Sequence, residues 1–270
     1  MHTTRNKILL ASDLDGTLIA DNFDIPLRNL EAIKRLKEMG GYFCIASGRS
    51  MLSGRRYIRE TEPNAPCLMI NGAVIYDFQK EKIIWDNPLN KESLQYVEMI
   101  HKQFPEIGIE AFGAKQIYVE NLDPYVKQHI KNEGFAYEKC HIHGIKSRLY
   151  KILFAMHADK MEEVRSFVDS ISYEGVNFVA TSKNYFEMIP DSVNKGISFL
   201  KLSEIMGIER ENTFAIGDYY NDIELLSAAG TGAAAVNAPD DVKQHADIIV
   251  GHCNHGAVAD FISQIEKRYR

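Results

Sequence analysis

An apolar tetrad that runs directly into two acidic residues constrains this chain more than any other stretch: Ile8-Leu9-Leu10-Ala11 leads through Ser12 into Asp13-Leu14-Asp15-Gly16-Thr17. A short apolar run closed by a turn pair reads as a strand buried on both faces, and Asp15-Gly16 is such a pair. Strands of this kind belong to sheets covered by helices on both sides, which places the chain in the α/β class. Both carboxylates then leave the sheet together at the edge where open α/β sheets bind their ligands.

The next segments repeat the pattern. Leu30, Ile33, Leu36 and Met39 have helical spacing, so a helix is expected over 27–39, stopped by Gly40-Gly41. A second buried strand over 42–46 ends in Ser47-Gly48-Arg49, and a third over 67–70 ends in Asn71-Gly72. From about Trp85 the texture changes. Helices are expected over 91–104, 124–133 and 159–171, strands over 108–112, 116–120 and 149–156, and a hairpin over 176–181 and 185–189. Beyond Pro190 the first texture returns, with a helix over 195–206, a strand over 213–216 that ends in Gly217-Asp218, a helix over 222–229, short strands over 232–236 and 247–249, and a closing helix over 256–269. The expected fold is therefore α/β: a Rossmann-like, doubly wound, mostly parallel sheet formed by 1–84 and 190–270, with an inserted α+β domain over 85–189.

Composition narrows the function. The chain has 270 residues, and 31 basic against 37 acidic side chains give a formal charge of -6, which argues against general affinity for nucleic acid or an anionic membrane. No stretch approaches the ~18 apolar residues of a membrane span, and Met1-His2-Thr3-Thr4-Arg5-Asn6-Lys7 lacks the apolar centre of a signal peptide, so a cytoplasmic location is expected. Cys44, Cys67, Cys140 and Cys253 are scattered, as expected of reduced structural thiols. Cys140-His141-Ile142-His143 and His252-Cys253-Asn254-His255 lack the paired spacing of a closed zinc site and read as loop residues.

Asp13-x-Asp15-Gly16-Thr17, Ser47-Gly48-Arg49, Lys195-Gly196 and Gly217-Asp218-x-x-Asn221-Asp222 resemble, in order and in placement after apolar strands, the four motifs of the haloacid dehalogenase superfamily. The intervals match its Cof-type sugar phosphatases, which carry a large α/β cap between the second and third motifs. The resemblance implies a Mg²⁺-dependent phosphomonoesterase that acts on a small phosphorylated metabolite, most readily a sugar phosphate, with the cap closing over the substrate and setting selectivity. It assigns Asp13 as the nucleophile that forms an aspartyl-phosphate, and Asp15 as the acid that protonates the leaving alkoxide and the base that later activates water. Ser47 and Gly48 would bind the phosphoryl group, and Lys195 would neutralise it and hold Asp13. Mg²⁺ would sit on Asp13, the main-chain carbonyl of Asp15, and Asp218, supported by Asn221 and Asp222. These residue types suit the chemistry: phosphoryl transfer needs an anionic nucleophile, a cation that lets it approach an anion, and donors for the phosphoryl oxygens.

Several positions keep two readings. Asp222 either supports the metal site or caps the helix it begins. Asn71 is a family turn or a simple Asn-Gly turn. Arg49 is a phosphate contact or, preferably, a surface partner for an acidic side chain. Tyr219 stands where a small residue is usual after the fourth-motif aspartate and Tyr220 follows it; both read as packed tyrosines in preference to rings that bracket a substrate. Lys115, Tyr118, Arg148, Lys151 and Glu187 are the candidates for selectivity. A phosphohexomutase and a non-catalytic metabolite-binding protein on the same fold are the competing functions.

Overall fold

The computed structural model describes residues 7–269. β1 (Leu9–Ser12) leads to α1 (Leu27–Glu38), β2 (Tyr42–Ile45), α2 (Arg55–Thr61) and the short strands β3 (Cys67–Met69), β4 (Val74–Asp77) and β5 (Lys82–Asp86). Then come α3 (Leu94–Gln103), β6 (Gly108–Gly113), β7 (Ile117–Glu120), α4 (Pro124–Glu133), β8 (Tyr137–Lys139), β9 (Leu149–Ala155), α5 (Met161–Ser170), β10 (Val176–Ala180) and β11 (Tyr185–Pro190). The chain finishes with α6 (Lys195–Met206), β12 (Thr213–Gly217), α7 (Ile223–Ala228), β13 (Thr231–Ala235), α8 (Asp240–Lys243), β14 (Ile248–Val250) and α9 (Ala257–Tyr269). These elements form two compact units. One comprises the chain up to Arg49, Gly54–Asp86 and everything from Asn194 onward; the other comprises Ser50–Ser53 and Asn87–Val193.

In the first unit five parallel strands lie in the order β14-β13-β12-β1-β2. The chain moves outward from β1 in one direction to β2 and in the other to β12, β13 and β14, so the direction reverses between β1 and β12. Such a switch point opens a crevice beyond the carboxyl ends of its two strands. Leu9, Leu10 and Ala11 are fully buried because helices cover both faces, which is why β1 reads as a continuous apolar run. α1 packs against α9 and α6 against α7. Right-handed crossovers place the two pairs on opposite faces.

The 67–70 segment is not a full member of this sheet. β3 touches it through the single bridge Ala46↔Leu68 and then pairs antiparallel with β4, and β4 with β5, in a separate three-stranded sheet. The turn at residues 70–72 folds the chain back after three residues, before a parallel pairing can extend. β8 and α8 are too short for hydrophobic periodicity to reveal them.

The second unit is built on a six-stranded sheet, β10-β11-β9-β6-β7-β8, antiparallel except for β7 with β8. Ile109, Ala111, Ile152, Phe154, Phe186 and Met188 alternate onto one face, where Val97 and Ile100 of α3 and Val164 and Val168 of α5 complete an apolar core. Glu110, Lys151 and Glu187 alternate with these residues and carry charge. Lys151 Nζ donates to Glu187 Oε1 at 2.9 Å, and Glu110 Oε2 lies 2.7 Å from His129 Nδ1. Among the described residues no helix is long and apolar enough to cross a membrane.

Phe214 of β12 is 2 % exposed and meets the rings of Phe261 and Tyr269 edge-on. Phe214→Ala is expected to destabilise the first unit by about 3–5 kcal/mol, read as a lower midpoint in urea denaturation.

Candidate active site

The switch point gathers four charged groups from three places in the chain. Asp13 follows the last residue of β1, and its amide donates to the Ile216 carbonyl of β12 at 2.9 Å, so the two strand ends are tied together where they diverge. Asp218 follows β12. Lys195 is the first residue of α6, set by Asn194, whose side chain caps that helix by accepting from the Ile197 amide at 2.8 Å.

The Lys195 ammonium is fully buried and donates to Asp13 Oδ1 at 2.6 Å and to Asp222 Oδ1 at 2.7 Å. Burial alone would weaken this base, but the two carboxylates outweigh it and hold its pKa above the ordinary lysine value. Asp222 Oδ2 accepts the amides of Asp218 at 3.0 Å and Tyr219 at 3.1 Å, so its carboxylate closes the 217–222 loop from inside. A Cβ on Gly217 would overlap the Asp222 carboxyl, which explains the glycine there.

Asp218 is held from two further sides. Thr17 Oγ1 donates to its Oδ1 at 2.6 Å, and Asn237 Nδ2 lies 3.4 Å from its Oδ2 while donating to the Gly16 carbonyl at 2.8 Å. Gly16 has φ +79 and passes so close that any Cβ would strike the Asp218 carboxylate. Burial pushes the Asp218 carboxyl up to about 6 in spite of the Thr17 hydrogen bond, and Asp222 adds to the rise. Burial likewise raises Asp13 well above the usual carboxylate range, against the pull of Lys195 and with the help of Asp222 and Asp218.

Carboxylate oxygens of Asp13, Asp218 and Asp222 all lie within 4.8 Å of one another. Three buried carboxylates against one ammonium leave two negative charges uncompensated, and the donors are all oxygen, so the group fits a hard divalent cation such as Mg²⁺. Asp222 already spends both oxygens on Lys195 and two amides. Asp13 Oδ2 has no protein partner among the described residues and is the atom best placed to ligate or to react.

The remaining sequence candidates divide. Ser47 is buried, its amide donates to the Leu68 carbonyl at 2.8 Å, and its Oγ accepts the Arg49 amide at 3.1 Å. Gly48 lies against Asn71, where a Cβ would come within 3.0 Å of Oδ1. Asn221 donates from Nδ2 to the same Asn71 Oδ1 at 3.0 Å. The Asp15 carboxylate stands outside the acidic cluster and is held by Arg49, from Nε at 2.8 Å and Nη2 at 2.7 Å. Arg49 therefore does have an acidic partner, a carboxylate 50% exposed, while its own side chain is only 11% exposed. Tyr219 and Tyr220 are 55% and 48% exposed, which overturns the packed reading; their rings meet edge-on at 5.0 Å. In the other unit Lys151 and Glu187 are buried against each other, whereas Lys115 and Arg148 are exposed. Asn237 was missed by the sequence reading. Its position just after the apolar 232–236 run, at a parallel strand end, was the signal that could have found it.

The model of the haloacid dehalogenase-like hydrolase family matches residues 10–262. A 5-amino-6-(5-phospho-D-ribitylamino)uracil phosphatase of Bacillus subtilis is 28% identical over 267 residues, covering 95% of this chain and 96% of that protein. A pyridoxal phosphate phosphatase of Escherichia coli is 25% identical over 270 residues, covering 96% and 98%. Among solved structures, a haloacid dehalogenase-like hydrolase from Bacteroides thetaiotaomicron superposes with a TM-score of 0.88 at 28% identity, covering 96% of this chain and 100% of that one.

In metal-free protein the folded chain binds the Asp218 proton more tightly than the unfolded chain does, because its pKa is raised from 3.8 to about 6. Its contribution to stability is therefore most favourable below the unfolded value and is lost as the pH rises through about 6. Asp218→Asn should flatten that part of the pH–stability curve and raise Tm by a few degrees at pH 7.5 in EDTA, and Mg²⁺ is expected to raise Tm in the wild type much more than in this variant, all measurable by calorimetry.

Proposed function

The chain belongs to the haloacid dehalogenase-like hydrolases, of the Cof type, and from that membership we propose that it is a phosphatase that hydrolyses small phosphorylated metabolites through an aspartyl-phosphate on Asp13. The observation that carries this reading is the buried Lys195 clamp, which holds one oxygen of Asp13 and leaves Oδ2 without a protein partner.

Asp13 Oδ2 attacks phosphorus as the bond from phosphorus to the ester oxygen breaks. Asp15 gives its proton to the departing alkoxide. Water then attacks the phosphorus of the aspartyl-phosphate, Asp15 takes the proton of that water, and the Asp13–phosphorus bond breaks to release inorganic phosphate and restore the carboxylate. Ser47, whose Oγ already accepts the Arg49 amide, keeps its O–H to donate to a phosphoryl oxygen. Asp13, the Asp15 carbonyl and Asp218 would hold Mg²⁺, with Asp222 and Asn221 fixing the loop that presents Asp218. Mg²⁺ bound there would let the anionic nucleophile approach an anionic phosphoryl group and would offset charge on the phosphoryl oxygens.

For the organic part of the substrate we propose compact phosphorylated alcohols, sugar phosphates first. The two named relatives act on a phosphorylated ribityl compound and on a phosphorylated heterocycle. The exposed rings of Tyr219 and Tyr220, directly after Asp218, offer aromatic faces that ring-bearing esters could meet. All the chemical groups come from the first unit, so the inserted unit is the part we assign to selectivity.

Inorganic phosphate release across sugar, polyol and heterocyclic phosphates should require Mg²⁺ and stop in EDTA. Asp13→Asn should lower kcat/KM by at least about 10³-fold. No release from any compound by folded wild type, or an isomerised ester in place of inorganic phosphate, would overturn the reading.

A further inference from the structure

The proposed chemistry asks Asp15 to deliver a proton and then to recover one, yet its carboxylate is the most exposed in the site and belongs to no acidic cluster. What it has is a guanidinium. Arg49 Nε donates to Asp15 Oδ2 at 2.8 Å and Nη2 to Oδ1 at 2.7 Å, a two-point fork that fixes the plane of the carboxylate as well as its position. We infer that Arg49 is a positioning residue for the reaction, aiming the Asp15 carboxyl so that its remaining lone pairs face the ester oxygen and, later, the attacking water; this rests on the reading of Asp15 as the acid and base.

A carboxylate has about four lone-pair sites and the fork uses two of them, so proton transfer is left open. The exposures differ in the sense this requires: the Arg49 side chain is 11% exposed and that of Asp15 50%, so the cation is the buried, anchored partner and the acid presents its outer side. The anchoring is extensive. Arg49 lies over the Tyr57 ring at 5.4 Å, its amide donates to Ser47 Oγ at 3.1 Å, and its carbonyl accepts the Ile70 amide at 3.0 Å. Ile70 makes that last bond from φ 53, a left-handed conformation that is unfavourable for a β-branched residue, next to Asn71 at φ 52 and Gly72 at φ 92. The Asn71 amide meanwhile donates to the Ser47 carbonyl at 3.0 Å. A strained turn thus grips the 47–49 loop at two carbonyls, those of Ser47 and Arg49. A loose surface ion pair would need none of this. The Nε–Nη2 edge of the guanidinium is engaged with Asp15.

Acid catalysis matters most when the leaving group is a strong base. An alkoxide needs the proton; a nitrophenolate leaves without it. Arg49→Ala and Arg49→Lys should therefore lower kcat/KM for an alkyl phosphate substrate by about 10²-fold, and for p-nitrophenyl phosphate by only a few-fold, so that the ratio between them falls by more than about 10-fold. Lysine fails like alanine because one ammonium cannot hold both oxygens. Added methylguanidinium should raise the alkyl phosphate rate of Arg49→Ala and leave wild type unchanged, a rescue that a misfolded variant would not give. Equal losses on both substrates, no loss on either, or no rescue would overturn the assignment. Asp15→Asn, run alongside, separates the two layers: if it too leaves the ratio unchanged, the reading of Asp15 falls, whereas a lowered ratio there and none in Arg49→Ala sinks only the role of Arg49.

Discussion

A single buried ammonium organises this protein. Lys195 Nζ lies between Asp13 and Asp222, with no exposure to solvent, at 2.6 and 2.7 Å. Breaking such a pair by removing one partner typically costs about 3–5 kcal/mol, because the charge left behind has no water to turn to. The start of α6, the end of β1 and the 217–222 loop are therefore held to one point, and the spacing of the carboxylates follows from it. The same clamp distinguishes the two oxygens of Asp13, one engaged and one not. Burial of these carboxylates, reinforced by their mutual repulsion, holds the pKa of Asp13 and of Asp218 above the usual carboxylate range.

Around that centre the fold uses ordinary means. The chain direction reverses between β1 and β12, and the crevice beyond their carboxyl ends is bordered by loops that hydrogen-bond to each other. Thr17 reaches Asp218 across 201 residues of sequence, Asn237 joins the Gly16 carbonyl to Asp218 and, through its Oδ1, accepts the Cys253 amide at 3.1 Å, and Asn71 joins Asn221 to the Ser47 loop. Two glycines, Gly16 and Gly217, allow a carboxylate to pass where a Cβ would collide with it. The left-handed turn at residues 70–72 has a comparable purpose, since it turns β3 out of the main sheet and brings backbone donors onto the Ser47 and Arg49 carbonyls.

Much of this was legible along the chain. Continuous apolar runs followed by polar residues located β1, β2 and β12, because a strand covered on both faces must be apolar throughout while the residues just past its end must not be. The helix over 195–206 was equally plain, and with it the place of Lys195 at a helix start. Legibility failed where the determining partner is distant or the element short. Nothing near Arg49 indicates that its guanidinium takes Asp15, 34 residues earlier, and nothing near Tyr219 and Tyr220 tells that a loop pinned from inside by Asp222 turns both rings outward. The three-stranded sheet of β3, β4 and β5 was invisible because its strands have only three to five residues each, and its departure from the main sheet depends on positive φ at Ile70, which no propensity favours.

By itself the sequence determined the class of fold, the order of its longer strands and helices, the insertion of an α+β unit, and the identity of the acidic and basic residues at strand and helix ends, since hydrophobic periodicity and turn chemistry are local properties that survive in one dimension. Tertiary structure alone decided which of those charges meet. That Lys195 bridges Asp13 and Asp222, that Thr17 and Asn237 close on Asp218, and that Asp15 is given to Arg49 instead of joining the acidic cluster depend on strand order and on backbone turns that bring residues up to 221 positions apart within hydrogen-bond distance. Electrostatic energy falls off over a few ångströms, and sequence separation says nothing about that distance.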